Sequence, residues 1–302
     1  MRVIDFHLHL FSRTYFETLA ALSPLPGSVE ERLAELERRV GIEIPARELE
    51  SHVQRWLASM DAHGVEQAAA FASVAEEIPV LARVRELSGG RMTPFALVNP
   101  RAPGCPEKVD GLLGPKGFAG VLLFPAMHHY ELDSAECEAL FEVLDRHRAL
   151  AFVHCGELVV KLRDLLGIAR TADAKFADPL RLVALANRFP NARFVIPHFG
   201  GGRFQETLEA GAQCSNILVD TSSSNSWMTA QGLSLKNVFA RALEVFGATR
   251  IVFGTDSTTF PKGWQRARFD DQQRALVEIG LSEEDLNAIF CENARELLVR
   301  VV

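Results

Sequence analysis

The sequence predicts a single (β/α)8 barrel, and three observations carry that prediction. Eight short runs rich in β-branched or aromatic residues recur along the 302 residues, and most are followed by a helical pattern before the next arrives. The chemically suggestive side chains sit at the ends of several distant runs instead of meeting at one turn. Strands apolar along their whole length suit a parallel sheet covered on both faces, and the alternating helices supply the crossovers. An open doubly wound sheet is the competing architecture, but no Gly-x-Gly-x-x-Gly turn follows the first run.

The expected strands are residues 2–8 (RVIDFHL), 65–73 (VEQAAAFAS), 92–99 (MTPFALVN), 118–125 (FAGVLLFP), 150–156 (LAFVHCG), 192–200 (ARFVIPHFG), 216–222 (NILVDTS) and 250–256 (RIVFGTD). Amphipathic stretches at 134–149, 178–190 and 235–247 read as crossover helices. A helical insertion at about 28–63 follows the first strand: SVEERLAELERRV and ARELESHVQRWLASMDAHG predict two helices, expected as a lid or flank over one mouth of the barrel. The stretch from Ser282, with Asp285 three residues on as in a helix cap, reads as closing helices packed on the barrel. No repeat or linker divides the chain, so one domain over 1–302 is expected.

Composition narrows the function. A net charge of -7 argues against a nucleic-acid surface, which needs a clustered basic excess, and leaves a small-molecule substrate as the expected partner. No run approaches the roughly 20 apolar residues of a membrane span, and the N-terminus lacks a basic, then apolar, leader. A cytoplasmic protein is expected, with a homo-oligomer open. The cysteines, at 105, 137, 155, 214 and 291, are odd in number and lack Cys-x-x-Cys spacing, so reduced, buried thiols are expected.

The apolar first strand nevertheless carries two imidazoles. Side chains two apart on a strand share a face, so His7 and His9 project together while Phe6, Leu8 and Leu10 take the other side. Burying two imidazoles on one face demands two sets of partners, and a chelated metal supplies both at once. His154, His198 and Asp256 end the fifth, sixth and eighth runs, and in a barrel those tips converge on the mouth where barrel enzymes work. Imidazoles with a carboxylate suit zinc and are compatible with iron, manganese or cobalt.

The order His-x-His, His, His, Asp resembles the amidohydrolase superfamily. More closely, IDFHLH, FVHCGE, PHFGG, FGTDS and ENARELL are similar to the amidohydrolase-related family that includes aminocarboxymuconate-semialdehyde decarboxylase, over nearly the whole chain. The resemblance implies one divalent metal ion, zinc first, held by His7, His9, His154 and Asp256, with His198 as acid/base residue and Asp256 also able to accept a proton. Binuclear members of the superfamily carry a carboxylated lysine at the end of the fourth strand; here Leu122 and Leu123 stand there, so one metal is expected. His128 and His129 leave a nonstandard second site open.

Three functions compete: metal-dependent hydrolysis of an amide, ester or lactone, nonoxidative decarboxylation of an aromatic or unsaturated acid, and metal binding without catalysis. Glu157 reads as a partner orienting an imidazole or as a helix-start carboxylate. Arg13, Lys161, Arg163, Arg203 and Arg266 are candidates to clamp a substrate carboxylate, with solvated surface as the plain alternative. Phe11, Tyr130, Trp227 and Trp264 could wall a pocket or cap the barrel. Cys155 is expected in the core, and His52, His63 and His147 as surface or helix-end residues. HFGGG lacks the Lys-Ser/Thr ending of a P-loop, which removes the main nucleotide signature.

Overall fold

A computed structural model describes residues 2–114, 116–222 and 226–299. Eight strands, β1 (Val3–His9), β2 (Val65–Phe71), β3 (Met92–Val98), β4 (Gly120–Leu123), β5 (Leu150–Val153), β6 (Arg193–Ile196), β7 (Ile217–Asp220) and β8 (Ile251–Val252), pair in sequence order, every neighbour parallel. The ring closes between β8 and β1: Phe6 N donates to Phe253 O at 2.8 Å, Asp256 N to His7 O at 2.9 Å and His9 N to Ser257 O at 2.9 Å. This is the predicted (β/α)8 barrel.

All the strands but β1 are shorter at their C-terminal ends than the apolar runs. β5 stops before His154, β6 gives way to a tight turn over Pro197–Gly200, and β8 ends before Asp256. The last apolar residues of those runs therefore leave the ladder and form the loops of the mouth. Non-glycine residues with left-handed backbone gather there: Phe11 (φ 41°), His198 (φ 56°), Phe199 (φ 52°) and Asp256 (φ 56°). Such conformations cost about 1–3 kcal/mol each and persist where surrounding structure enforces them, as at working sites.

β1 does not alternate cleanly. Its register against β2 shifts between Asp5 and Leu8, and the Phe6 ring packs on Phe95 (6.2 Å between centroids) and on Phe152 (5.5 Å), the ring that also meets His7 at 5.9 Å. The expected placement of Phe6 opposite His7 is thus corrected; an irregular strand swings both inward. Phe71, Phe95 and Phe152 complete the cluster, with centroids 4.6–5.3 Å apart. Aromatic pairs of this kind contribute about 0.5–1.5 kcal/mol each beyond area burial, which makes a rigid floor beneath the imidazoles.

Three helices follow β1: α1 (Arg13–Leu22), α2 (Val29–Val40) and α3 (Leu49–Ala62). The last two match the expected pair. Ser28 and Glu31 form a reciprocal capping box, and left-handed Gly41 ends α2. α3 buries Val53, Trp56 and Met60 in the barrel core, so it is the crossover helix to β2 and not the expected lid or flank over the mouth. α1 was not foreseen; with α2 it forms a separate cluster of Tyr15, Phe16, Leu19, Leu33 and Leu36 that also takes in Leu166. The closing helices are present, Ser282 accepting from Asp285 N as expected. All five cysteines are free and buried. Among the described residues no helix is long and apolar enough to cross a membrane.

Candidate metal centre

His7 and His9 meet at the mouth with Nε2 atoms 3.2 Å apart. Each ring is fixed from behind: His7 Nδ1 lies 2.6 Å from Asp220 Oδ2, and His9 Nδ1 lies 2.7 Å from Ser73 Oγ. Such bonds select the tautomer and turn both Nε2 lone pairs to a shared point. Asp256 Oδ1 stands 3.6 Å from His9 Nε2 and 3.9 Å from His7 Nε2. His7, His9 and Asp256 thus form a group able to hold a metal ion.

His154 and His198 stand beside this group. The His198 ring lies 5.0 Å from that of His7 and 5.3 Å from that of His154. His198 Nδ1 donates to Ser222 O at 2.9 Å, which leaves Nε2 as its acceptor nitrogen. His154 is buried, its Nδ1 has no hydrogen-bond partner among the described residues, and it lies outside the tight His7, His9, Asp256 group. A second group of His7, His198 and Asp220 also has metal-like spacing, but the direct His7–Asp220 hydrogen bond already closes it.

Electrostatics favour the neutral form of His154 and His9. Burial, reinforced by His198 and His7, pushes His154 down to about 3, and burial with its three imidazole neighbours holds His9 well below the ordinary range. His7 differs. Burial would lower it, yet the Asp220 carboxylate outweighs burial and raises it, while the same contact brings Asp220 down to about 2 against its own burial. Burial raises Asp256.

The loops bearing these side chains lock together through glycine. Gly156, at φ 77°, passes so close to the β6 loop that a Cβ would lie 2.3 Å from Gly201 O and 2.4 Å from Gly200 O. Gly254 lets β8 approach β1, a Cβ there coming within 2.7 Å of His7 Cβ. The unforeseen Glu77 ties two further loops: it is fully buried and accepts from Ser12 N (2.9 Å), Ser12 Oγ (2.7 Å) and Ser73 N (2.8 Å), so it holds the residue that anchors His9.

A model of the amidohydrolase family matches residues 4–300. The chain belongs to the amidohydrolase family. No curated protein matches the sequence. Among similar solved structures are an amidohydrolase from Burkholderia multivorans with bound zinc (17% identity, TM-score 0.68, 99% of each chain covered). A 5-carboxyvanillate decarboxylase from Novosphingobium aromaticivorans, complexed with manganese and 4-hydroxy-3-methoxy-5-nitrobenzoic acid, is 16% identical (TM-score 0.66, covering 99% of this chain and 96% of that one). A probable 2-pyrone-4,6-dicarboxylic acid hydrolase from Acinetobacter baumannii with citric acid bound is 15% identical (TM-score 0.64, covering 99% of this chain and 100% of that one). At these identities the likeness shows the fold.

In this family member a cavity of about 1020 Å³ opens from His7, His9, His154, His198 and Asp256 toward α1. The candidate cations separate cleanly. Lys161 and Arg163 line the cavity, whereas Arg13 pairs with Glu17 and Glu30, Arg203 with Glu206 and Arg266 with Asp270. Phe11 and Trp227 are in the cavity wall. Tyr130 is buried away from it, and Trp264 donates Nε1–H to buried Asp5 at 2.8 Å, so both belong to the scaffold. Glu157 lines the cavity with an exposed side chain that orients no imidazole, and the following helix begins only at Lys161, so neither expectation for it holds. His128 lines the cavity, but His129 turns to Thr171 O. His52, expected at the surface, is buried and bonds Leu10 O at 2.9 Å. Asp220 was legible only as the carboxylate ending NILVD, a signal as good as the one that marked Asp256; Ser73 and Ser222 gave none.

Proposed function

We propose that this chain is a metal-dependent hydrolase acting on an amide, ester or lactone bond of a small organic substrate, with one divalent ion, zinc first, held by His7, His9, His154 and Asp256. The single observation carrying the reading is the pair of Nε2 atoms 3.2 Å apart, each backed by a fixed Nδ1. Two nitrogens at zinc distances of about 2.0–2.1 Å and a tetrahedral angle are about 3.3 Å apart, so the donors fit the group. The buried Nδ1 of His154, without a hydrogen-bond partner among the described residues, fits it too, since an orphaned polar atom beside the pair otherwise costs about 1–3 kcal/mol.

A bound ion supplies Lewis acidity and lowers the pKa of water toward ~7. Asp256, with 29% of its side chain exposed, reaches both the imidazole pair and solvent, so it is the group to accept the nucleophile's proton. His198 holds its Nδ1 proton on Ser222 O, so its free Nε2 would take up the proton that Asp256 accepts from the nucleophile and pass it on to the leaving atom. Lys161 and Arg163 have no carboxylate partner among the described residues and are the cations to bind a substrate carboxylate.

A second reading, nonoxidative decarboxylation, is favoured by the apolar wall of Leu97, Leu122 and Phe124 on the same cavity, which would desolvate a substrate carboxylate. Likeness to the manganese-containing decarboxylase supports it. Elemental analysis of wild type and His7→Ala comes first. About one metal per chain, lost in the variant, is expected; full metal and activity in His7→Ala sinks the assignment. Carbon dioxide release from aromatic and unsaturated acids, against acid release from lactones, esters and amides, then separates the two reactions.

A further inference from the structure

Beyond the metal group, the cavity is far larger and more apolar than attack on one small ring requires. At about 1020 Å³ it lies at the upper end of the roughly 300–1,000 Å³ range of pockets that enclose drug-sized ligands. Its lining includes Leu19, Ala21 and Leu22 of α1 and Leu158, Val159 and Val160 of the loop after β5. Leu22 is 58% exposed and Val159 50% exposed, so two of the large exposed apolar side chains, from separate segments of the chain, line this one cavity. Exposed apolar groups gathered at a cavity rim mark a binding surface, whereas scattered ones need no explanation.

The wall is also built to hold its shape. Ser23 Oγ, just past α1, donates to Leu166 O at 2.5 Å, and Leu166 packs in the cluster shared by α1 and α2. The end of α1 and the segment around Leu166 are therefore tied to each other, while Leu22 and Val159 stay exposed in the cavity lining.

We propose that the substrate carries an extended apolar chain that runs from the metal centre along α1 and leaves between Leu22 and Val159. The inference rests on the metal-centre reading for where the polar end sits. Its chemical class is an amphiphilic acid or acyl compound with several methylenes beyond the reacting group.

Linear alkanoates from butanoate to decanoate test it, with binding to the metal-loaded enzyme followed by the fluorescence of Trp227 in the cavity wall and by calorimetry. Wild type is expected to gain roughly fourfold in affinity per added methylene. In Leu22→Glu and Val159→Glu, both at exposed positions that tolerate a charge, the gain is expected to vanish for the longest members. Affinity that is flat with length in wild type, or no binding of any member, overturns the proposal; an unchanged slope in both variants overturns the exit route. Metal content measured on the same samples keeps the two readings apart. Absent metal with a retained length dependence refutes the metal centre alone, and full metal with no length dependence refutes the chain-binding channel alone.

Discussion

Replacing Asp220 with Asn changes one atom of a fully buried side chain, and the structure predicts which of two outcomes follows. Oδ2 accepts from His7 Nδ1 at 2.6 Å, while Oδ1 accepts from Ser222 N at 2.7 Å and His198 N at 3.1 Å, so both oxygens face donors. An amide has one acceptor oxygen and one donating nitrogen. With the oxygen toward His7, the NH2 group confronts two backbone N–H groups, and the buried unsatisfied donors cost about 1–3 kcal/mol each. With the oxygen toward the backbone, the NH2 donates to His7 Nδ1 and drives the imidazole proton to Nε2, the atom facing His9. Losing such an outer partner costs roughly 10- to 100-fold in metal affinity, or about 1.4–2.7 kcal/mol. The second outcome is the cheaper. Asp220→Asn should therefore fold and bind zinc about 10- to 100-fold more weakly, as read by competition with a chelating indicator beside urea denaturation. Wild-type zinc affinity with unchanged stability would refute the claim that Asp220 sets the His7 tautomer.

His198→Asn should retain metal while turnover falls by about 10²–10⁴, as for removal of a general acid or base; loss of metal by elemental analysis would make His198 a ligand. Arg163→Met should raise KM for a carboxylate substrate by roughly tenfold to a hundredfold with kcat little changed, since one charge-assisted hydrogen bond contributes about 1.5–3 kcal/mol; equal KM would remove Arg163 from substrate binding. Glu77 is raised from its ordinary 4.5 because burial outweighs the donors from Ser73 and Ser12. A carboxyl so raised binds more protons folded than unfolded, so its contribution to stability falls as pH rises from about 4.5 to its folded value. Urea titrations at pH 4 to 7 should show a shallower decline in Glu77→Gln than in wild type, the remainder coming from groups raised in the same way, such as Asp5, which burial pushes up to about 6; equal slopes would refute it.

Much of this was legible in the chain. Apolar runs separated by amphipathic stretches imply a covered parallel sheet, because such strands have no polar face to give to water, and the eight runs all became neighbouring strands in order. The residues ending those runs were legible for the same reason: a barrel brings strand tips to one mouth whatever their separation in sequence. α1 was not, since RTYFETLAAL buries its apolar face on α2 and Leu166 and not on the barrel, so its neighbour is set by another loop. Nor was the cation that reaches the cavity, because Arg13, Arg203 and Arg266 differ from Arg163 only in having acidic neighbours.

The sequence by itself therefore determined the periodic elements, their order in the barrel and the imidazoles and carboxylate at its mouth, because these follow from local hydrophobic period and the two-residue repeat of a strand. Only the tertiary structure decided which groups lock those imidazoles. Ser73, Asp220 and Ser222 stand 64, 213 and 215 residues from the rings they contact. It also decided that a register shift turns Phe6 inward and that residues of α1 line the cavity at the metal centre. Those features depend on where loops from distant strands come to rest, and the energy that places them is packing between elements, which no local pattern encodes.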